Sequence, residues 1–348
     1  MKFLLPGVIF LLLALPGRGE DFAKGADVSW LPQMEASGYR FLDRSGRPED
    51  CLRILKAYGI DTVRLRVWVH PSQDRRSGHC SRDEVAAMAQ RAAAMGFRIM
   101  IDFHYSDSWC DPGKQATPAA WAGDSLPKLE ADVRAHTVDV LTALKARGVT
   151  PEWVQVGNEI AGGMLWPTGS TRKDYTNLAA LINAGYDAVK SVDPATQVVV
   201  HIHRGNDNAL YRTFFDGIQA HGARYDVIGM SYYPHWQHVD YSETIDALGA
   251  NLVDMAERYH KGVMVVELGG EASRAENTRA MISAVIDKVR AVPDHRGLGV
   301  IYWEPEGAQS WSGYALSCWG ADRRPTDALE AFLEKPVSMP FSVNTFAH

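Results

Sequence analysis

The 348-residue chain is poor in cysteine: it has only Cys51, Cys80, Cys110 and Cys318, widely spaced and with no Cys-x-x-Cys pair. That pattern excludes the usual thiolate zinc sites. Four cysteines permit three pairings, and the sequence chooses neither among them nor between disulfides and free buried thiols. Basic charge is also short, with 36 Lys and Arg against 42 Asp and Glu, a net charge of -6. There is no electrostatic footprint for nucleic acid. Beyond the N-terminus no apolar run reaches the length of a membrane span. No Gly-rich phosphate loop follows the first apolar strand, where the chain reads "LPQMEASGYR". The "GDS" at 123–125 is not a Gly-x-Ser-x-Gly elbow, so no serine triad can be argued.

What is present is ordinary for a globular protein: 46% hydrophobic and 22% charged residues, enough to bury a sizeable core. The 10 Trp and 13 Tyr are generous and suit a surface that stacks flat ligand faces. The N-terminus reads as a signal peptide over residues 1–19. Lys2 precedes the apolar "FLLPGVIFLLLALP", and "GRGE" supplies small residues for cleavage. The expectation is a secreted protein, extracellular or periplasmic, with no membrane association and with residues 20–348 as a single catalytic domain.

One alternation then repeats. Apolar, β-rich runs stand at 25–30, 62–69, 98–105, 152–159, 197–203, 226–233, 263–269 and 298–304. Helical patterns lie between them. "SRDEVAAMAQRAAAMG" carries Ser81 and Glu84 as a capping box and stops at Gly96. The segment from Leu126 ends on Lys145, Arg147 and Gly148, a helix C-terminal signature. Eight apolar strands alternating with helices predict a parallel sheet covered by helices, an α/β fold, and specifically a single (β/α)8 TIM barrel.

Active sites of such barrels lie at the C-terminal strand ends. Reading those ends gives Arg64, Arg66 and Trp68, then Asp102 and His104, then Asn158 and Glu159. His201 and His203, Tyr232 and Tyr233, Glu267, and Trp303 with Glu304 follow. Wet strand ends explain any one of these. They explain poorly a glutamate directly after "VMVV" and another after "VQVGN", because a desolvated carboxylate is costly. Two carboxylates at the mouth of a barrel suit glycoside hydrolysis, one as acid and one as nucleophile or base. Trp109, Trp121, Trp166, Trp236 and Trp311 all fall after strands and could stack sugars. A competing reading makes His201, His203 and His104 a metal site. It lacks an HxH on the first strand and a bridging lysine, so no catalytic metal is expected.

The stretches "KGADVSWL", "TVRLRVWVHP", "DFHYSDSWCDPGKQ", "VQVGNEIAGGMLWPTG", "GMSYYPHW" and "GVIYWEP" resemble glycoside hydrolase family 53, the endo-β-1,4-galactanases. The resemblance runs from about residue 24 to 330. It implies a retaining enzyme with Glu159 as acid/base and Glu267 as nucleophile. It further implies that Asn158 binds the sugar 2-hydroxyl, Arg64 keeps Glu267 ionised, and His104 lines the same subsite. Tyr233, with Tyr232 as the alternative, would orient Glu267, and Trp303 would form the floor under the sugar. Trp109, Trp166 and His201 are counted with the substrate-binding groups, Gly162–Gly163 allowing Trp166 to turn toward the cleft.

The sequence also departs from that family. Glu267 is followed by "LGGEASRAENT" rather than by Thr, an aromatic and Pro with a long loop, and His203 stands where an Asp is usual. No cluster of Asp and Asn suggests the calcium site of some relatives, so neither metal nor cofactor is expected. The partner implied is β-1,4-galactan, acted on by a monomer. The alternatives are the same chemistry on another β-1,4-linked polysaccharide such as mannan, or a sugar-binding barrel without catalysis.

Overall fold

The computed structural model describes residues 22–75 and 77–333; the expected signal peptide lies outside the described residues. Eight parallel strands close into a barrel: β1 (Ala23–Asp27), β2 (Thr62–Val67), β3 (Arg98–Phe103) and β4 (Trp153–Val156), then β5 (Gln197–Ile202), β6 (Val227–Tyr232), β7 (Gly262–Leu268) and β8 (Gly297–Trp303). Each overlaps one of the eight apolar runs, although β1 begins two residues before its run and ends three residues short of that run's end. Closure pairs β1 with β8, setting Asp27 beside Trp303. A closed barrel has no free edge, so each of the eight strands is paired on both sides.

The helices form the outer layer. The capping box at Ser81 and Glu84 starts the helix Arg82–Ala94 as the sequence indicates. The helix Leu126–Ala146 begins with proline inside its first turn, where no intrahelical N–H is needed. The helices Thr176–Val192 and Tyr241–Tyr259 also lie where periodicity places them. After β1 the chain makes two short helices, Leu31–Ala36 and Cys51–Ala57, instead of one long one. Among the described residues no helix is long and apolar enough to cross a membrane.

Two apolar bodies result. A large one joins the helices to the outer face of the sheet. A small one fills the lower barrel with Ala23, Met100, Trp153, Val199, Val227, Met264, Val266 and Ile301. One pleat further along the strands, the inward side chains become polar: Asp27, Arg64, Asp102, Gln155 and His201, all fully buried. Strand alternation explains this, because residues two apart face the same side. The barrel is therefore apolar below and polar at its C-terminal mouth.

Strand β7 needs one further device. Met230 of β6 pairs with Val265, but Ser231 pairs with Glu267, so β7 carries an extra residue. Such a bulge re-aims the side chains beyond it. Val266 stays in the interior cluster, and Glu267 directly after it also reaches the barrel mouth. All four cysteines are buried and free, which resolves the choice left open by the sequence.

Candidate active site

The polar layer is organised by Arg64. Its Nη1 meets Asp27 at 2.8 Å, and its Nη2 meets Asp102 at 2.9 Å and Glu267 at 2.8 Å. The same Nη2 donates to Gln155 and to the Oδ1 of Asn158, each at 3.1 Å. Asn158 in turn gives its amide to the carbonyl of Cys110 at 2.8 Å. Asp102 also binds His104 Nε2 at 3.0 Å, while Nδ1 of that ring accepts from the Cys110 N–H at 3.1 Å. The tautomer of His104 is thereby set, with its proton on Nε2.

Above this layer lies a cleft of about 930 Å³, with Asn158, Glu159, Ser231, Tyr233 and Glu267 at its centre. Glu159, three residues beyond β4, adopts a left-handed conformation, φ 50° and ψ 46°. Such a conformation is costly for a glutamate and recurs at functional sites. Gly157, two residues earlier, has φ 83°, and a Cβ there would sit 2.7 Å from Ile160 Cγ2. The strand can turn up into the mouth only with glycine at that point.

The two carboxylates approach closely, with an oxygen of each within 4.8 Å of the other. Their surroundings differ. Glu267 faces two donors, the Arg64 guanidinium at 2.8 Å and the Tyr233 hydroxyl at 3.3 Å. Glu159 accepts one, from Ser231 at 2.6 Å. Burial lifts both carboxyls; the charge of Glu159 adds to it at Glu267, those of Asp111 and Asp102 at Glu159, and Arg64 opposes at both. Two such close carboxyls hold one proton between them near neutrality. The proton belongs on Glu159, because the cation and the hydroxyl both point at Glu267. An acid and an anion thus face each other across the cleft.

The walls are aromatic and polar on opposite sides. After β3 and β8, Trp109 and Trp303 stand 5.7 Å apart, with Tyr314 4.9 Å from Trp303. Buried Trp30 packs edge-on behind all three. Arg66 lies 4.2 Å over the Trp109 ring and is held by Glu304. These contacts fix the rings before any ligand arrives. After β5 and β6 the lining is His203, Arg204, Trp236 and Gln237, and Trp236 is 60% exposed.

A family model for glycosyl hydrolase family 53 matches residues 23–332, which spans the whole barrel. The chain belongs to that family. Like its other members it is a glycoside hydrolase. A protein of Niallia circulans, described as an uncharacterized protein in the bgaB 5'region, is 37% identical over 86% of this chain and 89% of its own length. The endo-beta-1,4-galactanase of Bacillus subtilis is 33% identical, over 83% of this chain and 71% of that protein. A solved fungal beta-1,4-galactanase superposes with a TM-score of 0.80 at 30% identity, covering 89% of this chain and 98% of that one.

This family-53 hydrolase places most of the expected residues together, though not all. Asn158, Glu159, Glu267, His104, Tyr233, Trp109 and Trp303 line the cleft. Tyr232 does not; it is buried, and its hydroxyl bonds to Thr244 and the Tyr241 carbonyl. Arg64 lies beneath the cleft and acts through Glu267 and Asn158. His201 is a correction: it is wholly buried under Glu159, facing Gln155 and Ser231 rather than a ligand. Trp166 is another. Its indole turns back to donate to the Gly162 carbonyl at 2.9 Å and is not part of the cleft wall. The glycines there serve a different purpose, since a Cβ on Gly163 would meet Gly169 O at 2.0 Å. Trp121 and Trp311 are buried packing residues.

Among the described residues, Glu159, His201 and Glu267 have metal-like spacing. They do not fit a metal. His201 has both nitrogens engaged, Nε2 with Ser231 at 2.7 Å and Nδ1 with Gln155 at 3.0 Å, and Arg64 already balances Glu267. Sequence reading missed Asp27, Gln155, Ser231 and Tyr314. Only the strand alternation carried a signal for the first three.

Replacing Arg64 tests the frame. Asp102 is held below the usual carboxylate range by Arg64 and His104, against its burial. Its ion pairing therefore stabilises the fold above the ordinary carboxylate pKa and is lost as pH falls through the lowered one. In urea unfolding at pH 7, Arg64→Met should cost about 3–5 kcal/mol, because buried carboxylates lose their partner. The difference from the native protein should shrink toward pH 3. A loss under about 1 kcal/mol at pH 7 would contradict this account.

Proposed function

We propose that the chain is a secreted, endo-acting, retaining hydrolase of β-1,4-galactan, working by double displacement. The observation that carries the mechanism is the short carboxylate separation, within 4.8 Å, with the donors gathered on Glu267. Inverting enzymes hold their carboxyls roughly 6.5–9.5 Å apart to admit a water. Galactan as substrate is supported by the names of the relatives, which include endo-beta-1,4-galactanase and arabinogalactan endo-beta-1,4-galactanase. Endo action is supported by a cleft lined both by Trp109, Trp303 and Tyr314 and by His203, Arg204, Trp236 and Gln237 around the carboxylates.

In this reading the Glu267 carboxylate attacks the anomeric carbon while Glu159 protonates the departing oxygen. A covalent glycosyl-enzyme forms. Glu159, now a base, takes a proton from water, whose oxygen displaces Glu267 from the same carbon, and the β configuration is retained. Asn158 gives one amide hydrogen to the Cys110 carbonyl and offers the second to the 2-hydroxyl, and His104 lines the same subsite. Trp303 and Trp109 supply the stacking wall. The leaving part of the chain lies toward His203, Arg204 and Trp236, since Glu159 stands at β4, next to β5. Residues 1–19 act as the export signal, the mature protein works as a monomer, and no cofactor takes part.

Glu159→Ala should cut galactan turnover severely but spare the first step on an aryl galactoside whose leaving group needs no proton. Comparable losses on both substrates would assign Glu159 to holding the cleft together. Glu267→Ala should be inactive on both, and azide should restore cleavage of the activated galactoside with inversion. Native-like turnover in that variant, by reducing-sugar release, would remove Glu267 from the mechanism.

A further inference from the structure

We propose that Ser231 is a positioning residue for the acid/base: its hydroxyl, ordered from below by His201, donates to Oε1 of Glu159 and so reserves Oε2 for the mobile proton. The proposal rests on the reading of Glu159 as acid/base.

The direction of the hydrogen bonds follows from the buried network. The Oδ1 of Asn158 accepts from Arg64 at 3.1 Å and from Gln155 Nε2 at 3.0 Å. His201 is wholly buried, and burial, with Arg64 nearby, holds it neutral. Its Nδ1 faces the backbone N–H of Glu159 at 3.4 Å, which can only donate, and Asn158 Oδ1 at 3.1 Å, whose lone pairs are taken by Arg64 and Gln155. Nδ1 is therefore the acceptor, and the ring proton sits on Nε2. Nε2 lies 2.7 Å from the Ser231 oxygen, which accepts that proton. A hydroxyl that accepts there has its own hydrogen left for Glu159 Oε1, 2.6 Å away. Among the described residues Oε2 of Glu159 has no hydrogen-bond partner.

The bulge in β7 contributes as well, because it sets Ser231 directly beside Glu267 in the ladder. Ser231 thus lies between β4 and β7 in the barrel, and of the two carboxylates its hydroxyl bonds Glu159 alone. A donor on one oxygen favours the anion of Glu159 and fixes which oxygen is protonated. Both matter to a group that must give a proton in one step and take one back in the next.

Other charged or titratable groups act on Glu159 from all sides. Asp111 in the loop after β3 and Asp102 on β3 raise its pKa, while Arg64 on β2 lowers it; Glu267 on β7 faces it within 4.8 Å. His201 on β5 is neutral, and the phenols of Tyr233 and of Tyr211 on the neighbouring helix Asn208–Ala220 are pushed well above their ordinary value. Among the described residues the Ser231 hydroxyl bonds none of these charged groups; His201, which loses the acceptor of its Nε2 proton in Ser231→Ala, keeps one in Ser231→Thr.

The test is the pH profile of kcat/KM on galactan. Its alkaline limb reports loss of the acid's proton. Removing a donor from the anion raises the pKa, so in Ser231→Ala the alkaline limb should move up by about one pH unit. Ser231→Thr, which keeps the hydroxyl, should return it to the native position. An unmoved limb in the alanine variant overturns the proposal, as does identical behaviour of the alanine and threonine variants. If Ser231→Ala fails to fold by circular dichroism, Ser231→Cys, a weaker donor of similar size, should shift the limb in the same direction; no shift overturns the proposal. Failure of the underlying reading is distinguishable, since the native alkaline limb would then persist in Glu159→Ala.

Discussion

A single buried guanidinium holds the mouth of this barrel in one arrangement. Arg64 bonds Asp27 on β1, Asp102 on β3, Gln155 and Asn158 at β4 and Glu267 on β7. Each partner was taken out of water on folding, and so was the arginine. Such a cluster is expensive to desolvate and is tolerable only when every charge finds partners of good geometry. The arginine is the one group that satisfies several carboxylates together, because its fork presents donors in fixed directions. The same cation makes Glu267 the anion of the pair. Structural and chemical demands thus fall on one residue, as expected where a site is built on strands rather than on loops.

Much of this was readable before any coordinates. All eight strands announced themselves as apolar runs, since a strand covered on both faces must be apolar nearly throughout. Glu159 and Glu267 stood out because carboxylates rarely follow such runs without purpose. Three features escaped for physical reasons. The bulge at Val266 and Glu267 is a pairing irregularity, and pairing is not written in one strand's sequence. His201 ends a strand like the cleft residues do, yet its alternation turns it into the barrel interior. Trp166 follows a glycine pair that permits several turns, and the one adopted brings the indole back onto Gly162. For Ser231, as for Asp27 and Gln155, strand alternation was the sole signal, and a small polar residue at a strand end is unremarkable until its neighbours are known.

The departures from the family pattern now have positions. His203 lies past the end of β5 in the cleft wall, beside Arg204, so an imidazole faces the cleft where a carboxylate is usual. The short segment after Glu267 becomes a single 3-10 turn, Ala272–Arg274, leading straight into the helix Ala275–Arg290. Its Glu271 reaches His235 at 3.0 Å, next to the exposed Trp236. Both changes border the wall formed by the loops after β5 and β6 and leave the Arg64 network untouched.

The most direct measurement of the central claim is to trap the covalent intermediate. A 2-deoxy-2-fluoro galactoside with a good leaving group slows both chemical steps, and slows release more than attack. Peptide mass spectrometry of the inactivated enzyme should then find one added fluorogalactosyl group on Glu267. An adduct on Glu159 or Glu304, or rapid turnover that leaves no adduct and releases the α-anomer first, would contradict the account.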